Sequence, residues 1–163
     1  MKNHSVNSNI VQRIKEPDGY MLLYFDNPPE KTGELVFVNC LAYQHKQILF
    51  CKWRNEDLWV LPGGRIEPNE TAEETLHREL MEETGATLKN FEVLCYIHCF
   101  MYDLEYWGIA YLGEIENLGI PTDLNEVSTA KLFSDYPENQ SKPEPFRNQG
   151  KALYDGALQR LNN

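Results

Sequence analysis

The fifteen residues from Thr71 to Gly85, TAEETLHRELMEETG, constrain this chain more than any other stretch. Thr71 stands where an N-cap belongs, Glu74 completes a capping-box pattern three residues on, and Gly85 suits a left-handed stop, so the stretch predicts one helix. With Leu76 as origin, Ala72 and Leu80 fall within about 40° on either side and define an apolar stripe. Glu83 falls at about 340°, inside the stripe, Glu79 at about 300°, on its edge, and Glu82 at about 240°. Glu74, at about 160°, sits opposite, where a solvated acid belongs.

A helix that buries this stripe also crowds three carboxylates along it. Like charges one turn apart, such as Glu79 and Glu83, cost a few tenths of a kcal/mol on a surface helix, and burial raises the cost. Arg78 supplies one cation for three anions. A hard divalent cation with an all-oxygen shell is the economical counterion, and Mg²⁺ characteristically takes one or two carboxylates together with waters and substrate phosphates.

The rest of the chain reads mainly as strands. YMLLYF (20–25) precedes a turn-rich break, LVFVNCLAY (35–43) and QILFCKW (47–53) are close enough across QHK for a hairpin, and LWVL (58–61) ends at Pro62, Gly63 and Gly64, which open a loop. Residues 91–101 and 105–115 are two strands around Tyr102 and Asp103, and VSTAKLF (127–133) is a further strand candidate. DYPENQSKPEPF (135–146), with three prolines, is a loop. A closing helix from about Asn148 to Leu161 has apolar residues at 153, 157, 158 and 161. The first nineteen residues are either a frayed arm or a loosely attached first strand. A chain of 163 residues is expected to form a single domain, 1–163, of a mixed sheet with helices packed against it.

The formal net charge is −10, from 25 acidic and 15 basic residues. A diffuse field of that sign repels phosphate backbones, so nucleic acid is not an expected partner. There is no apolar run after the basic start and no stretch of ~18 apolar residues, so a cytoplasmic protein without a membrane partner is expected. Cys40, Cys51, Cys95 and Cys99 are too few and too scattered for a disulfide framework. Cys95, His98 and Cys99 have a spacing that a soft metal could use, but in VLCYIHC the residues Val93, Cys95, Ile97 and Cys99 alternate onto one strand face, where Cys packs as a small hydrophobe. His4, His45 and His77 are isolated in sequence.

Residues 61–86, LPGGRIEPNETAEETLHRELMEETGA, resemble the Nudix box of the Nudix hydrolase family. Gly64, Glu70, Arg78-Glu79-Leu80, Glu82-Glu83 and Gly85 stand at every fixed position, and Ala86 is a departure where the family has a bulkier apolar residue. The resemblance implies an α/β (α+β) fold, the family's alpha/beta/alpha sandwich with a mixed β-sheet, and a hydrolase that cleaves a diphosphate linkage in a nucleoside diphosphate derivative with Mg²⁺ or Mn²⁺ as cofactor. It implies Glu79, Glu82 and Glu83 as metal ligands, the backbone carbonyl of Gly64 as a further oxygen, Arg78 as the group that orients the carboxylates, and Glu70 as support for loop and helix.

The family draws the base that deprotonates water from a box glutamate or a later loop. Glu126, just before VSTAKLF, is the downstream candidate, with an exposed loop acid as the alternative reading; Glu114, Glu116 and Glu105 are further candidates. Trp59, Phe100, Tyr102, Tyr106 and Trp107 lie within range of the expected cleft, with Trp59 and Tyr102 the candidate substrate contacts. Tyr102, 16 residues past the box, resembles a tyrosine of members that act on dinucleoside polyphosphates, whereas Met101 is not the proline of many ADP-ribose hydrolases. The expected partner is a nucleotide-type small molecule, and the sequence leaves open whether the chain forms a homodimer. A noncatalytic nucleotide-sensing module on the same fold is the alternative; intact Glu79, Glu82 and Glu83 favour the enzyme. From Gly64 to Ala86 seven glutamates stand against two arginines, half of the net charge. That is a local demand for cations, and a phosphate chain can enter once they are bound.

Overall fold

The computed structural model describes residues 11–56, 58–138 and 147–163. Its elements follow in the order β1 (Val11–Glu16), β2 (Gly19–Tyr24), β3 (Leu35–Gln44), β4 (Gln47–Trp53), β5 (Trp59–Val60), β6 (Gly63–Arg65), α1 (Ala72–Thr84), β7 (Thr87–Met101), β8 (Leu104–Asn117), β9 (Val127–Phe133) and α2 (Arg147–Asn162). The strands form one sheet in the order β1-β2-β7-β8-β3-β4-β5, with β6 on β3 and β9 on β4. β3 and β8 run parallel and the other pairs antiparallel, so the sheet is mixed, as expected. Two of its hairpins turn on two left-handed residues each: His45 and Lys46 at φ 50° and 62°, Tyr102 and Asp103 at φ 53° and 60°. That geometry matches the twist of the strands it joins.

The period of two along β3 divides the core. Val38, Cys40 and Ala42 pack with Leu76 and Leu80 of α1, while Leu41 packs with Leu153 and Ala157 of α2. A helix on each face of the sheet gives the sandwich. Leu76 and Leu80 are fully buried, which contributes about 1.5–3 kcal/mol each. Among the described residues no helix is long and apolar enough to cross a membrane.

Several sequence expectations are corrected here. Gly63 and Gly64 do not open a loop: they lie in β6, where Gly63 pairs with Asn39 and Gly64 with Val38. A polar glycine pair reads as a breaker, and only its tertiary pairing to β3 makes it a strand. Of the two alternatives for the first nineteen residues, residues 11–16 take the strand, as the edge strand β1 hydrogen-bonded to β2, while residues 1–10, including His4, lie outside the described residues. The strand expected from residue 91 begins at Thr87. Its alternation fails at Val93, which is exposed, because a register shift between Val93 and Cys95 buries Leu94 and Cys95 in succession. Beyond it, Cys95, Ile97 and Cys99 pack on the α2 face, and His98 points to the other face, stacked on Trp107 at 3.9 Å. Of the expected 135–146 loop, residues 139–146 lie outside the described residues.

Candidate active site

The sequence of α1 builds one wall of the site. The capping box is formed: Thr71 Oγ1 accepts from the Glu74 N–H at 3.1 Å, and the Glu74 carboxylate accepts from the Thr71 N–H at 2.8 Å. Gly85, at φ 70°, ends the helix and donates its N–H to the Met81 carbonyl. Left-handed φ favours glycine here, and a Cβ would also stand 2.1 Å from the Ile120 carbonyl oxygen. Within these limits Glu83 and Glu79 are buried in the apolar stripe, 3% and 9% exposed.

Glu83 has a partner of its own, while Glu79, Glu82 and Glu70 share one. The Gly63 N–H donates to Glu83 Oε2 at 2.8 Å. Arg78 Nη1 donates to Glu79 Oε1 at 2.8 Å and to Glu82 Oε2 at 3.2 Å. The same guanidinium grips Glu70 with two parallel bonds, Nε to Oε1 at 2.7 Å and Nη2 to Oε2 at 3.0 Å, and Nη2 also donates to the Arg65 carbonyl at 3.1 Å. Such a fork fixes angle as well as distance. Glu70 in turn accepts from the Thr75 hydroxyl at 2.6 Å and the Glu67 N–H at 3.1 Å. One arginine therefore locks the 65–70 segment onto the helix.

The electrostatics separate these acids. The Arg78 fork, followed by the Thr75 hydroxyl, holds Glu70 down at about 2. Burial pushes Glu83 up to about 8; the Gly63 N–H opposes the rise, and the charges of Glu79, Glu126 and Glu82 add to it. Glu79 is also raised, by burial first, against the pull of Arg78. Burial likewise drives the Cys51 thiol well above its usual value, with Glu83 next.

Glu126 comes within electrostatic reach of Glu79 and Glu83 because its loop folds back on the helix. The N–H groups of Thr122 and Asp123 both donate to the Glu82 carbonyl at 2.9 Å. Arg54 holds the far end, with its N–H on the Glu126 carbonyl at 2.9 Å and its Nε on the Leu124 carbonyl at 2.6 Å. The other acids lie elsewhere: Glu114 accepts from Asn90, Glu105 meets His98, and Glu116 lies exposed near the end of β8.

On the α2 side, two cavities of about 570 and 290 Å³ share Phe37, Asn39, Arg65 and Gln149. The larger includes Tyr102 and Tyr106, and the smaller runs along Gly63 and Gly64. Trp59 is set against Phe133, ring centroids 4.8 Å apart, outside the lining of either. Phe100 and Trp107, expected near the cleft, flank His98 on the opposite face. The sequence reading missed Asn39, Gln149 and the Gly63 N–H. Asn39 carried a signal, as the polar residue in an apolar strand run; Gln149 carried none.

Residues 33–154 match the model of the NUDIX domain. The Bacillus subtilis protein named Putative 8-oxo-dGTP diphosphatase YtkD is 36% identical over 126 residues, 77% of each chain. An RNA pyrophosphohydrolase of Histophilus somni is 45% identical over 49 residues, 30% of this chain and 26% of that enzyme. The crystal structure of a mutant of the Bacillus subtilis pyrophosphohydrolase BsRppH superposes with a TM-score of 0.74 at 26% identity, covering 93% of this chain and 96% of that one. The NUDIX domain of Shewanella oneidensis NrtR, complexed with ADP ribose, shares the fold at a TM-score of 0.59 and 22% identity, over 83% and 94% of the two chains. The chain belongs to the Nudix family. Within that family it is a hydrolase of the pyrophosphohydrolase kind.

Proposed function

We propose that the chain hydrolyses a diphosphate linkage of a free nucleoside triphosphate with the help of Mg²⁺ or Mn²⁺. The observation that carries this reading is the burial of Glu79 and Glu83 against Gly63 and Gly64, at the edge of the aromatic-lined cleft. The carboxylates fit a hard cation. All donors are oxygens, and the absence of a Cβ at Gly64 leaves Glu79 its place, since that atom would stand 2.1 Å from Glu79 Oε1. Among the described residues no three acidic, imidazole or thiolate side chains yet close around an ion; Glu83 is turned to the Gly63 N–H, Glu79 and Glu82 to Arg78.

In this reading Glu79, Glu82, Glu83 and the Gly64 carbonyl hold the cation. When bound, it neutralises charge on the diphosphate and lowers the pKa of water. Arg78 keeps the carboxylates aimed, and Glu126 takes the proton from the attacking water. Tyr102 with Tyr106 and Phe37 takes the base; the placement of Trp59 favours Tyr102 over it for stacking. The −10 charge favours a small anion over a polyanion.

The test is a panel of nucleoside triphosphates, oxidised nucleotides, ADP-ribose, nucleotide sugars, dinucleoside polyphosphates and 5′-triphosphorylated RNA, with Mg²⁺ or Mn²⁺, reading phosphate and diphosphate release. Hydrolysis of free triphosphates, abolished by chelation, is expected. Tight binding of one member without hydrolysis of any would establish the sensing reading instead, and hydrolysis of RNA ends alone would replace the substrate.

A further inference from the structure

Glu126 stands outside the helix that carries the other acids, so its place in the site comes from its loop. At one end Thr122 and Asp123 donate to the Glu82 carbonyl of α1 at 2.9 Å each. The Val127 N–H returns to the Asp123 carbonyl at 3.2 Å and closes one turn around Leu124, Asn125 and Glu126. Beyond that turn β9 runs along β4, and their register shifts between Lys52 and Trp53, where Trp53 pairs with Val127. An irregularity of this kind re-aims the side chains beside it, and Glu126 is the next residue back along the chain.

Arg54 holds the turn from the other side. It is the first residue after β4, and its backbone N–H donates to the Glu126 carbonyl at 2.9 Å. Its side chain reaches the residues on either side of Glu126: Nε donates to the Leu124 carbonyl at 2.6 Å and Nη2 to the Val127 carbonyl at 3.5 Å. Three carbonyls of the four residues from Leu124 to Val127 therefore converge on one arginine. A planar guanidinium presents its donors in a rigid fork, so it sets the rotation of the turn as well as its distance from β4. Glu126 then borders a cavity of about 240 Å³ with Trp53, Asn55 and Glu56, and its charge reaches Glu79 and Glu83.

We propose that Arg54 is a positioning residue of the reaction, acting through the backbone of residues 124–127 to set where the Glu126 carboxylate meets the attacking water. This rests on the reading of Glu126 as the group that takes the proton of that water. A base works only within about 2.6–3.2 Å of the proton's heavy atom, and a displacement of about 1 Å costs up to about 10²-fold in rate. The Arg54 N–H bond to Glu126 belongs to the backbone and survives replacement of the side chain. Arg54→Met therefore leaves the loop attached and removes the fork alone.

The experiment measures kcat and KM for a free nucleoside triphosphate with Mg²⁺ in the wild-type chain, Arg54→Met, Glu126→Gln and the double variant. Arg54→Met is expected to lower kcat about tenfold or more while KM stays within about twofold. Thermal unfolding should stay near wild type, since Arg54 is exposed. In the Glu126→Gln background the same substitution should change kcat by less than about twofold, because residues that act as a unit are not additive. Arg54→Gln, which keeps a donor on a shorter side chain, should fall between wild type and Arg54→Met, and it carries the same comparison in both backgrounds if the methionine variant does not fold. An equal proportional loss with and without Glu126 gives Arg54 a structural role and overturns the inference, as does an unchanged kcat in Arg54→Met. An unchanged kcat in Glu126→Gln overturns the role of Glu126 and this inference with it. Hydrolysis of no triphosphate by the wild-type chain overturns the functional reading as well.

Discussion

The two helices obtain their ends from different places. The first turn of α1 is satisfied within four residues of chain, by Thr71 and Glu74 on each other's N–H groups, and its last turn by Gly85. At α2 the Gln149 N–H is accepted by Glu16, 133 residues away in sequence. The difference falls on function. A helix capped by its own sequence can carry buried like charges, because its register survives their repulsion. A helix started from another strand brings residues into a cleft that no local pattern announces.

The largest test of this contrast is Glu83→Gln. Removing one preorganised charged group at a reacting centre characteristically costs on the order of 10²–10³-fold, and kcat with Mg²⁺ should fall by that factor. Thermal unfolding of the metal-free variant should stay at or above wild type, since the charge it removes is the one that burial disfavours. Unchanged turnover would remove Glu83 from the site, and collapse of the fold would make α1 depend on its acid rather than on its caps.

Next in size is Gly64→Ala. The new Cβ meets Glu79 Oε1 at 2.1 Å, and a carboxylate at the end of a flexible side chain can move aside. Activity should therefore drop by about tenfold or more, through misplacement of a catalytic group, while unfolding free energy changes by less than about 1 kcal/mol. A loss of stability without a loss of kcat would show that the glycine serves the β6 pairing and not the carboxylate.

Thr71→Ala probes the local cap. Loss of an N-cap side chain costs about 1 kcal/mol. Denaturant unfolding should show that loss with kcat near wild type, because Arg78 continues to tie Glu70 to the helix through two bonds. A fall in kcat at equal stability would mean that the cap sets the aim of Glu79 and Glu83.

Sequence legibility follows the same division. The bounds of α1, the burial of Glu79 and Glu83 and the exposure of Glu74 all follow from a period of 3.6 residues and two caps. The strands of the β3–β4 and β7–β8 hairpins are also legible, because turn and alternation are local. β6 is not, since its glycines become a strand only through Val38 and Asn39. Val93 misleads because a register shift needs the partner strand to be seen. Glu126 can be placed before β9, but its approach to the box depends on Arg54 and on the Glu82 carbonyl, contacts between distant segments. Gln149 meets Asn39 across 110 residues, and nothing within α2 marks it.

The smallest expected effect concerns the borrowed end of α2. Burial raises the Glu16 carboxyl above its ordinary 4.5, and the Gln149 N–H and the Asn148 amide only partly offset the rise. The folded state therefore keeps a proton that the unfolded chain releases. The stability this contributes is complete below about 4.5 and is lost as pH rises through the raised folded value. Glu16→Gln cannot titrate yet still offers a carbonyl oxygen to the Gln149 N–H. Unfolding free energies of wild type and variant should agree to within the net worth of one hydrogen bond, about 0.5–1.5 kcal/mol, in acid. They should then separate in favour of the variant as pH rises to neutrality. The opposite trend, with wild type gaining on the variant as pH rises, would show that the helix N-terminus outweighs desolvation at this carboxylate. α2 would then be held by a charge, as α1 holds its own acids through Arg78, and the contrast between the two helices would narrow to the distance over which the partner is borrowed.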